Sequence, residues 1–172
     1  MKTASKKPKV ILDTKPLIKL FAGEEGWKAV KEILSWIEAG ELEAGICVVT
    51  LTEIYYKYLQ ENKQDLATAR TNQIRYAPYL KKLEINEEIA IKAGELKGKY
   101  KVSIADAFIA ASALQEDATI ISDDPHFKKI PEVEVLTEKE LAEETGFSGD
   151  MLSIDKDRAP KFREKDRLED RD

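Results

Sequence analysis

The sequence predicts a three-layer α/β/α domain, in which a central, mainly parallel sheet is covered by helices on both faces. Two observations predict this fold class. Apolar runs of strand length alternate with segments of helical periodicity along most of the chain, an order typical of parallel sheets. The chain also has 172 residues, 42% of them hydrophobic, which is enough for one domain with a buried core and too little for two of ordinary size.

The first predicted elements are one strand and two helices. The apolar run at residues 10–12 has the length and composition of a strand. Pro16 suits the first turn of a helix, because the backbone N–H that proline lacks has no partner there. A second helical period covers residues 27–37 and stops at Gly40.

The middle of the chain repeats this order. Residues 46–49 predict the second strand, and Thr50 or Thr52 is expected to begin the helix that follows. A further helix is expected over about residues 64–77, and a third strand over residues 82–85.

The last part predicts two strands and three helices. Apolar residues at helical spacing indicate a helix over residues 89–100, and a very apolar helix is expected over residues 103–115. Residues 119–122 and 133–136 predict the last two strands, and residues 138–144 a closing helix.

The composition changes at both ends of the chain. Residues 1–8 resemble a short basic leader, and residues 148–172 consist mainly of charged side chains that cannot bury a core. We therefore expect a domain at residues 9–147 between a disordered leader and a flexible, charged tail. No run approaches the roughly 18 apolar residues of a membrane helix, and the N-terminus has no signal-peptide core, so we expect a cytoplasmic protein that does not contact membranes.

Charge and cysteine content limit the possible functions. The net charge of −5 argues against a general nucleic-acid binder that works through a basic surface. Cations bound to clustered acids would weaken that argument by neutralising them locally. Cys47 is the only cysteine, which excludes a disulfide or a thiolate zinc site within the chain.

Four carboxylates interrupt or end apolar segments: Asp13, Glu53, Asp106 and Asp124. A buried carboxylate is costly unless a cation or a hydrogen-bond donor meets it. In parallel sheets, ligands bind beyond the carboxyl ends of the strands, where Asp13 and Asp124 are expected. Carboxylates prefer hard cations such as Mg²⁺ and Mn²⁺, so the four acids predict a metal site that serves phosphate chemistry.

Each acid also has a purely structural interpretation. Glu53 follows Thr50, and Asp106 follows Ser103, at the spacing of a helix-capping signature. Asp13 could begin a turn or a helix, and the Asp-Asp-Pro sequence around Asp124 could begin a turn. Capping explains Asp106 poorly, because it is the only charged residue between residues 102 and 114 of an apolar helix.

These motifs, in this order and at these spacings, resemble the PIN domain, particularly the ribonuclease toxins of VapC type from toxin–antitoxin pairs. The motifs are Ile-Leu-Asp13-Thr, Thr-x-x-Glu53, Ala-Asp106-Ala and Ser122-x-Asp124. The resemblance implies that Asp13, Glu53, Asp106 and Asp124 bind Mg²⁺ or Mn²⁺, with Ser122 in a supporting position. It also implies an α/β/α fold, an RNA substrate, a homodimer and inhibition by a small antitoxin.

Two residues depart from that pattern or leave it ambiguous. Many such toxins have a small polar residue two places after the first Asp, where this chain has Lys15. Lysine there could neutralise part of the acidic cluster, displace one ion or bind substrate phosphate. Asp123 could replace or assist Asp124, although the spacing from Asp124 to Phe127 suits the family better.

The expected reaction is metal-dependent hydrolysis of RNA phosphodiesters with one or two divalent ions. It needs no histidine, and His126 is expected to be a surface loop residue. Receiver domains and haloacid-dehalogenase-like phosphatases fit less well, since they carry further acids next to the first strand. The alternative from another class is a non-catalytic PIN-like binding or scaffold module whose acids cap helices.

Overall fold

The computed structural model of the chain describes residues 9–144. The predicted leader at residues 1–8, the predicted tail at residues 148–172 and the last three residues of the predicted domain lie outside the described residues. No helix within the described part is long and apolar enough to cross a lipid bilayer.

A five-stranded, entirely parallel sheet forms the centre of the protein, with strand order β3-β2-β1-β4-β5. Its strands are β1 (Lys9–Leu12), β2 (Glu43–Cys47), β3 (Leu80–Leu83), β4 (Thr119–Ile121) and β5 (Val135–Leu136). The helices are α1 (Thr14–Ala22), α2 (Trp27–Glu38), α3 (Val49–Gln60), α4 (Gln64–Arg75), α5 (Glu87–Tyr100), α6 (Ile104–Glu116) and α7 (Glu138–Glu144). A short 3-10 helix at Pro125–Lys129 follows β4.

The three layers follow from the alternation of side chains along the strands. Val10 and Leu12 point into a core shared with α1, α2, α3, α4 and α7, whereas Ile11 points into a second core with α5 and α6. In β4, Ile120 and Ile121 divide between the two cores in the same way. The predicted α/β/α architecture with a parallel sheet is therefore confirmed.

Three strand boundaries differ from the sequence prediction. The second strand is Glu43–Cys47 and not residues 46–49, the third is Leu80–Leu83 and not residues 82–85, and the fifth is only Val135–Leu136. Val49 already belongs to α3, so neither Thr50 nor Thr52 begins that helix. The apolar run continues from β2 into α3, and for this reason hydrophobicity alone misplaced the boundary.

Candidate metal centre at the carboxyl edge of the sheet

Asp13 directly follows β1, at the carboxyl edge of the sheet. Its backbone N–H continues the pairing with β4 by donating to Ile121 O at 3.1 Å. The side chain is 4% exposed and makes no capping hydrogen bond to α1. Asp13 is therefore the N-cap residue of α1, as the helix-entry interpretation expected, but its carboxylate does not cap the helix.

Ser122 connects Asp13 to Asp124. Its hydroxyl donates to Asp13 Oδ2 at 2.7 Å and accepts the backbone N–H of Asp124 at 3.0 Å. Ser122 is itself buried. One hydroxyl thus contacts both the carboxylate of Asp13 and the backbone of Asp124.

Glu53 lies on α3, one turn after the start of the helix. Thr14 Oγ1 donates to Glu53 Oε1 at 2.7 Å and lies 3.3 Å from Thr50 Oγ1. The residue that caps α3 is Val48, without a side-chain hydrogen bond. The predicted Thr50–Glu53 capping box is therefore wrong, because Thr50 lies inside the helix and its hydroxyl faces Thr14.

Asp106 enters the site from the first turn of α6. Ser103 caps this helix by accepting the N–H of Asp106 at 3.0 Å, which confirms the capping role of Ser103. The Asp106 side chain is only 10% exposed, so its backbone serves the cap while its carboxylate stays in the site.

Asp124 precedes the 3-10 helix and contacts His126. Asp124 Oδ1 accepts the backbone N–H of His126 at 2.9 Å and lies 2.9 Å from His126 Nδ1. The same imidazole nitrogen lies 4.0 Å from Asp106 Oδ2. Asp106, Asp124 and His126 each offer one ligand atom, and these three atoms lie within 4.8 Å of one another.

Burial and mutual repulsion disfavour the charged form of these acids. Burial is the main cause that raises the pKa of Asp13 from 3.8 to about 6, and the charges of Asp106 and Glu53 add to it. Hydrogen bonds from Ser122 and from the backbone of Thr14 oppose the rise. The charge of Asp124 acts on Asp106 in the same way. Among the described residues, however, only Asp106 and Asp124 of the four predicted acids belong to the group of ligand atoms within 4.8 Å of one another, and Asp13 and Glu53 do not.

The pKa of Asp106 is also raised, with burial as the largest cause and the charge of Asp124 acting in the same direction. Ser103, His126 and Lys57 act in the opposite direction. Cationic groups therefore do reach this edge of the sheet, but they do not cancel the effect of burial.

Lys15 and Asp123 pair with each other beside the acids. Lys15 Nζ lies 3.3 Å from Asp123 Oδ1, and Lys19 Nζ forms an ion pair with Asp123 Oδ2. Both oxygens of Asp123 thus face lysines, whereas Asp124 faces Asp106 and His126. This geometry favours Asp124 over Asp123 as the fourth acid of the site.

The sequence prediction missed His126 and Lys57 as neighbours of the acids. His126 is 54% exposed at its side chain, as expected of a surface residue, but its ring faces the carboxylates. A signal for Lys57 was available, because it follows Glu53 by four residues and shares its helical face. For His126 the only signal was its position two residues after Asp124.

Comparisons with known proteins agree with this fold. The family model of the PIN domain matches residues 10–133, which is more than half of the chain. The chain is 32% identical over 100 residues to Ribonuclease VapC4 from Mycobacterium tuberculosis, an alignment that covers 55% of this chain and 77% of that protein.

Two solved structures support the fold. DNA-bound VapBC from Salmonella typhimurium has a TM-score of 0.62 at 19% identity and covers 76% of this chain and 98% of its own. A toxin–antitoxin complex from Klebsiella pneumoniae has a TM-score of 0.55 at 24% identity and covers 75% of this chain and 97% of its own. At these identities the similarity concerns the fold.

Proposed function

The chain belongs to the PIN domain family, and on this premise we propose that it is a divalent-metal-dependent endoribonuclease that hydrolyses RNA phosphodiesters. The observation that carries the proposal is the group of ligand atoms from Asp106, Asp124 and His126, together with the electrostatic effect of Asp106 and Glu53 on the buried Asp13. Two of these acids, Asp13 and Asp106, are buried and have raised pKa values. Such an arrangement costs stability, and a functional site is the setting in which this cost is commonly found.

The donor set fits a hard divalent cation. The site offers carboxylate oxygens and one imidazole nitrogen, and it contains no thiolate. Burial without a full countercharge leaves Asp13 and Asp106 harder to ionise, so a cation would relieve the repulsion that the structure leaves in place. Oxygen donors suit Mg²⁺ and Mn²⁺, which we propose as the physiological ions.

In this proposal Asp13, Glu53, Asp106 and Asp124 hold the cation or cations. When bound, the metal supplies activation of a water molecule and stabilisation of charge at phosphorus. Ser122 holds the Asp13 carboxylate, and Thr14 holds the Glu53 carboxylate, at the distances given above. Lys15 belongs to the support of the site, through its ion pair with Asp123.

We further propose that the chain is the toxin of a VapBC-type pair, with a small antitoxin as its partner and a homodimer as its assembly. The relative named as a ribonuclease and the similar structures named as toxin–antitoxin complexes support this role. Co-expression with the product of the adjacent gene tests it. A toxin should arrest growth when expressed alone, and co-expression should restore growth and give a complex that co-purifies.

A non-catalytic scaffold is the alternative, and two contacts favour it. Ser103 caps α6 at Asp106, and Asp124 caps the 3-10 helix. Capping does not account for Asp13 or Glu53, whose carboxylates instead accept hydrogen bonds from Ser122 and Thr14. A scaffold would keep its structure and its partners when Asp106 is replaced by Asn, and it would have no cleavage to lose.

The experiment is incubation of labelled tRNA and single-stranded RNA with the full chain in Mn²⁺, in Mg²⁺ and in chelator. Asp106→Asn should lower the rate of RNA cleavage at least about 100-fold, because it removes a carboxylate from the proposed metal site. Glu116→Gln is the matched control, since it makes the same change at the other end of α6, about 15 Å away. Cleavage that survives chelator or Asp106→Asn would refute the proposal.

A further inference from the structure

A buried ion network lies beside the acids and joins three distant parts of the chain. Lys19 on α1 is 8% exposed, and its Nζ donates to Glu138 Oε1 on α7 at 2.7 Å. The same Nζ pairs with Asp123 Oδ2 in the segment after β4. We call Lys19, Asp123 and Glu138 the Lys19 network.

Two features around Glu138 in this network are energetically unfavourable. Glu138 is 3% exposed, and its Oε2 has no hydrogen-bond partner among the described residues. Gly26 lies against it with φ +93°, and a Cβ at this position would overlap Glu138 Oε1. A buried ion pair often contributes less to stability than apolar side chains of the same volume. The network is therefore better explained by the geometry that it imposes.

That geometry fixes the residue next to Asp124. Asp123 pairs through Oδ2 with Lys19 and through Oδ1 with Lys15, and it is not a member of the group formed by Asp124, Asp106 and His126. Burial acts to lower the pKa of Lys19, but Asp123 and Glu138 outweigh it and raise that pKa above 10.5.

Asp124 is thus held from both sides. On one side Ser122 accepts the Asp124 N–H and donates to Asp13. On the other side the side chain of the preceding residue, Asp123, pairs with Lys19 on α1, which in turn pairs with Glu138 on α7. Without this tie, two adjacent carboxylates would compete for the same cation.

We propose that Lys19 is a positioning residue that acts through Asp123 to set the Asp124 carboxylate for cation binding and to keep Asp123 out of the site. This inference rests on the proposed function, because it concerns the same cation. It adds a determinant on α1 that the acidic motifs themselves do not contain.

The test is direct Mn²⁺ binding by the full chain, measured by isothermal titration calorimetry and by the electron paramagnetic resonance signal of free Mn²⁺. Asp123→Asn replaces the two ion pairs of Asp123 with at most a neutral hydrogen bond, which weakens the anchor, and it leaves the Lys19–Glu138 pair. It should raise the Kd for Mn²⁺ by about tenfold, the range seen when partners that orient metal ligands are lost. Glu116→Gln is the matched control, because Glu116 also pairs with two lysines, Lys9 and Lys81, and it should leave the Kd within twofold of wild type.

A second variant separates anchoring from simple loss of charge. The double substitution Lys19→Met with Glu138→Gln removes one charge of each sign and keeps the charge of Asp123. Anchoring predicts a raised Kd for Mn²⁺, whereas a charge effect predicts an unchanged or lower Kd. If circular dichroism shows the double variant unfolded, Asp123→Asn is measured at about 0.1 and 0.5 M KCl instead, since salt screens exposed charge effects and leaves a positional effect in place.

The outcomes distinguish this inference from the proposed function. Wild-type binding with a raised Kd in both variants supports it, as does an Asp123→Asn effect that persists at high salt. A wild-type Kd in Asp123→Asn, a wild-type Kd in the double variant, or an effect that disappears at high salt overturns the inference alone. Failure of the wild-type chain to bind Mn²⁺ overturns both.

Discussion

Replacing Asp13 by Asn should stabilise the metal-free protein at neutral pH. Burial raises the pKa of Asp13 to about 6 from the ordinary 3.8, and a shift of about 2 units corresponds to about 3 kcal/mol of disfavoured ionisation. Asn keeps the size of the side chain and an acceptor for Ser122 but carries no charge. Allowing about 1 kcal/mol for a weaker hydrogen bond, we expect a gain of about 2 kcal/mol in the free energy of unfolding at pH 7.5.

The stability difference between Asp13→Asn and wild type should depend on pH. Because the folded pKa of Asp13 lies above the unfolded pKa, the folded state binds more protons between about pH 4 and 6. The Asp13 contribution to wild-type stability is therefore most favourable below pH 4, falls as pH rises to about 6, and is constant above. The advantage of Asp13→Asn should be small at pH 4 and reach its full size above pH 6.

Urea denaturation in chelator, followed by circular dichroism at five pH values from 4 to 8, measures this difference. Glu116→Gln is a control for which we expect the opposite effect on stability. The hydrogen bond that Lys9 donates to Glu116 is the main cause that lowers the pKa of Glu116, so this substitution should destabilise the protein at neutral pH. An Asp13→Asn protein that is less stable than wild type at pH 7.5, or that differs by a constant amount at all pH values, would refute the reasoning.

Three further substitutions test the contacts around the acids. Ser122→Ala should raise the Kd for Mn²⁺ about tenfold, because the hydroxyl orients two proposed ligands. Calorimetry measures this Kd, and an unchanged value would contradict the role of Ser122. Thr14→Val should lower the rate of RNA cleavage about tenfold, because the Glu53 carboxylate loses its hydrogen bond. Thermal melting shows whether the fold is kept, and a wild-type cleavage rate would mean that Thr14 does not orient Glu53. Gly26→Ala should cost about 1–3 kcal/mol in urea denaturation, since φ is +93° and the methyl group displaces Glu138; a cost below about 0.5 kcal/mol would mean that Glu138 is free to move.

Most of the fold could be predicted because strand and helix periods alternate clearly. The error at β2 fell where one apolar run serves two elements. Val48 and Val49 look like a continuation of β2, yet the strand ends at Cys47 and Val49 begins α3. Local hydrophobicity is the same on both sides of such a boundary, and the sheet pairing that decides it is not visible in the sequence.

The acids of the proposed site could be selected from the sequence because each interrupts or ends an apolar segment, and buried charge is rare. The supporting contacts were not visible. Lys19 resembles any lysine on an amphipathic helix, and its partner Glu138 lies 119 residues further along the chain. Only the packing of α7 against α1 and α2 brings them together. The contact of Thr14 could not be predicted either, since its partner Glu53 is 39 residues away in the chain.

The central claim is that four dispersed carboxylates share one cation site, and a crystal soaked in Mn²⁺ tests it most directly. We expect an anomalous difference peak at coordination distance from oxygens of Asp106 and Asp124, with Asp13 and Glu53 facing it, and no such peak in Asp106→Asn crystals. A map without a peak at this edge of the sheet, or with Mn²⁺ bound only away from these four acids, would contradict a shared cation site.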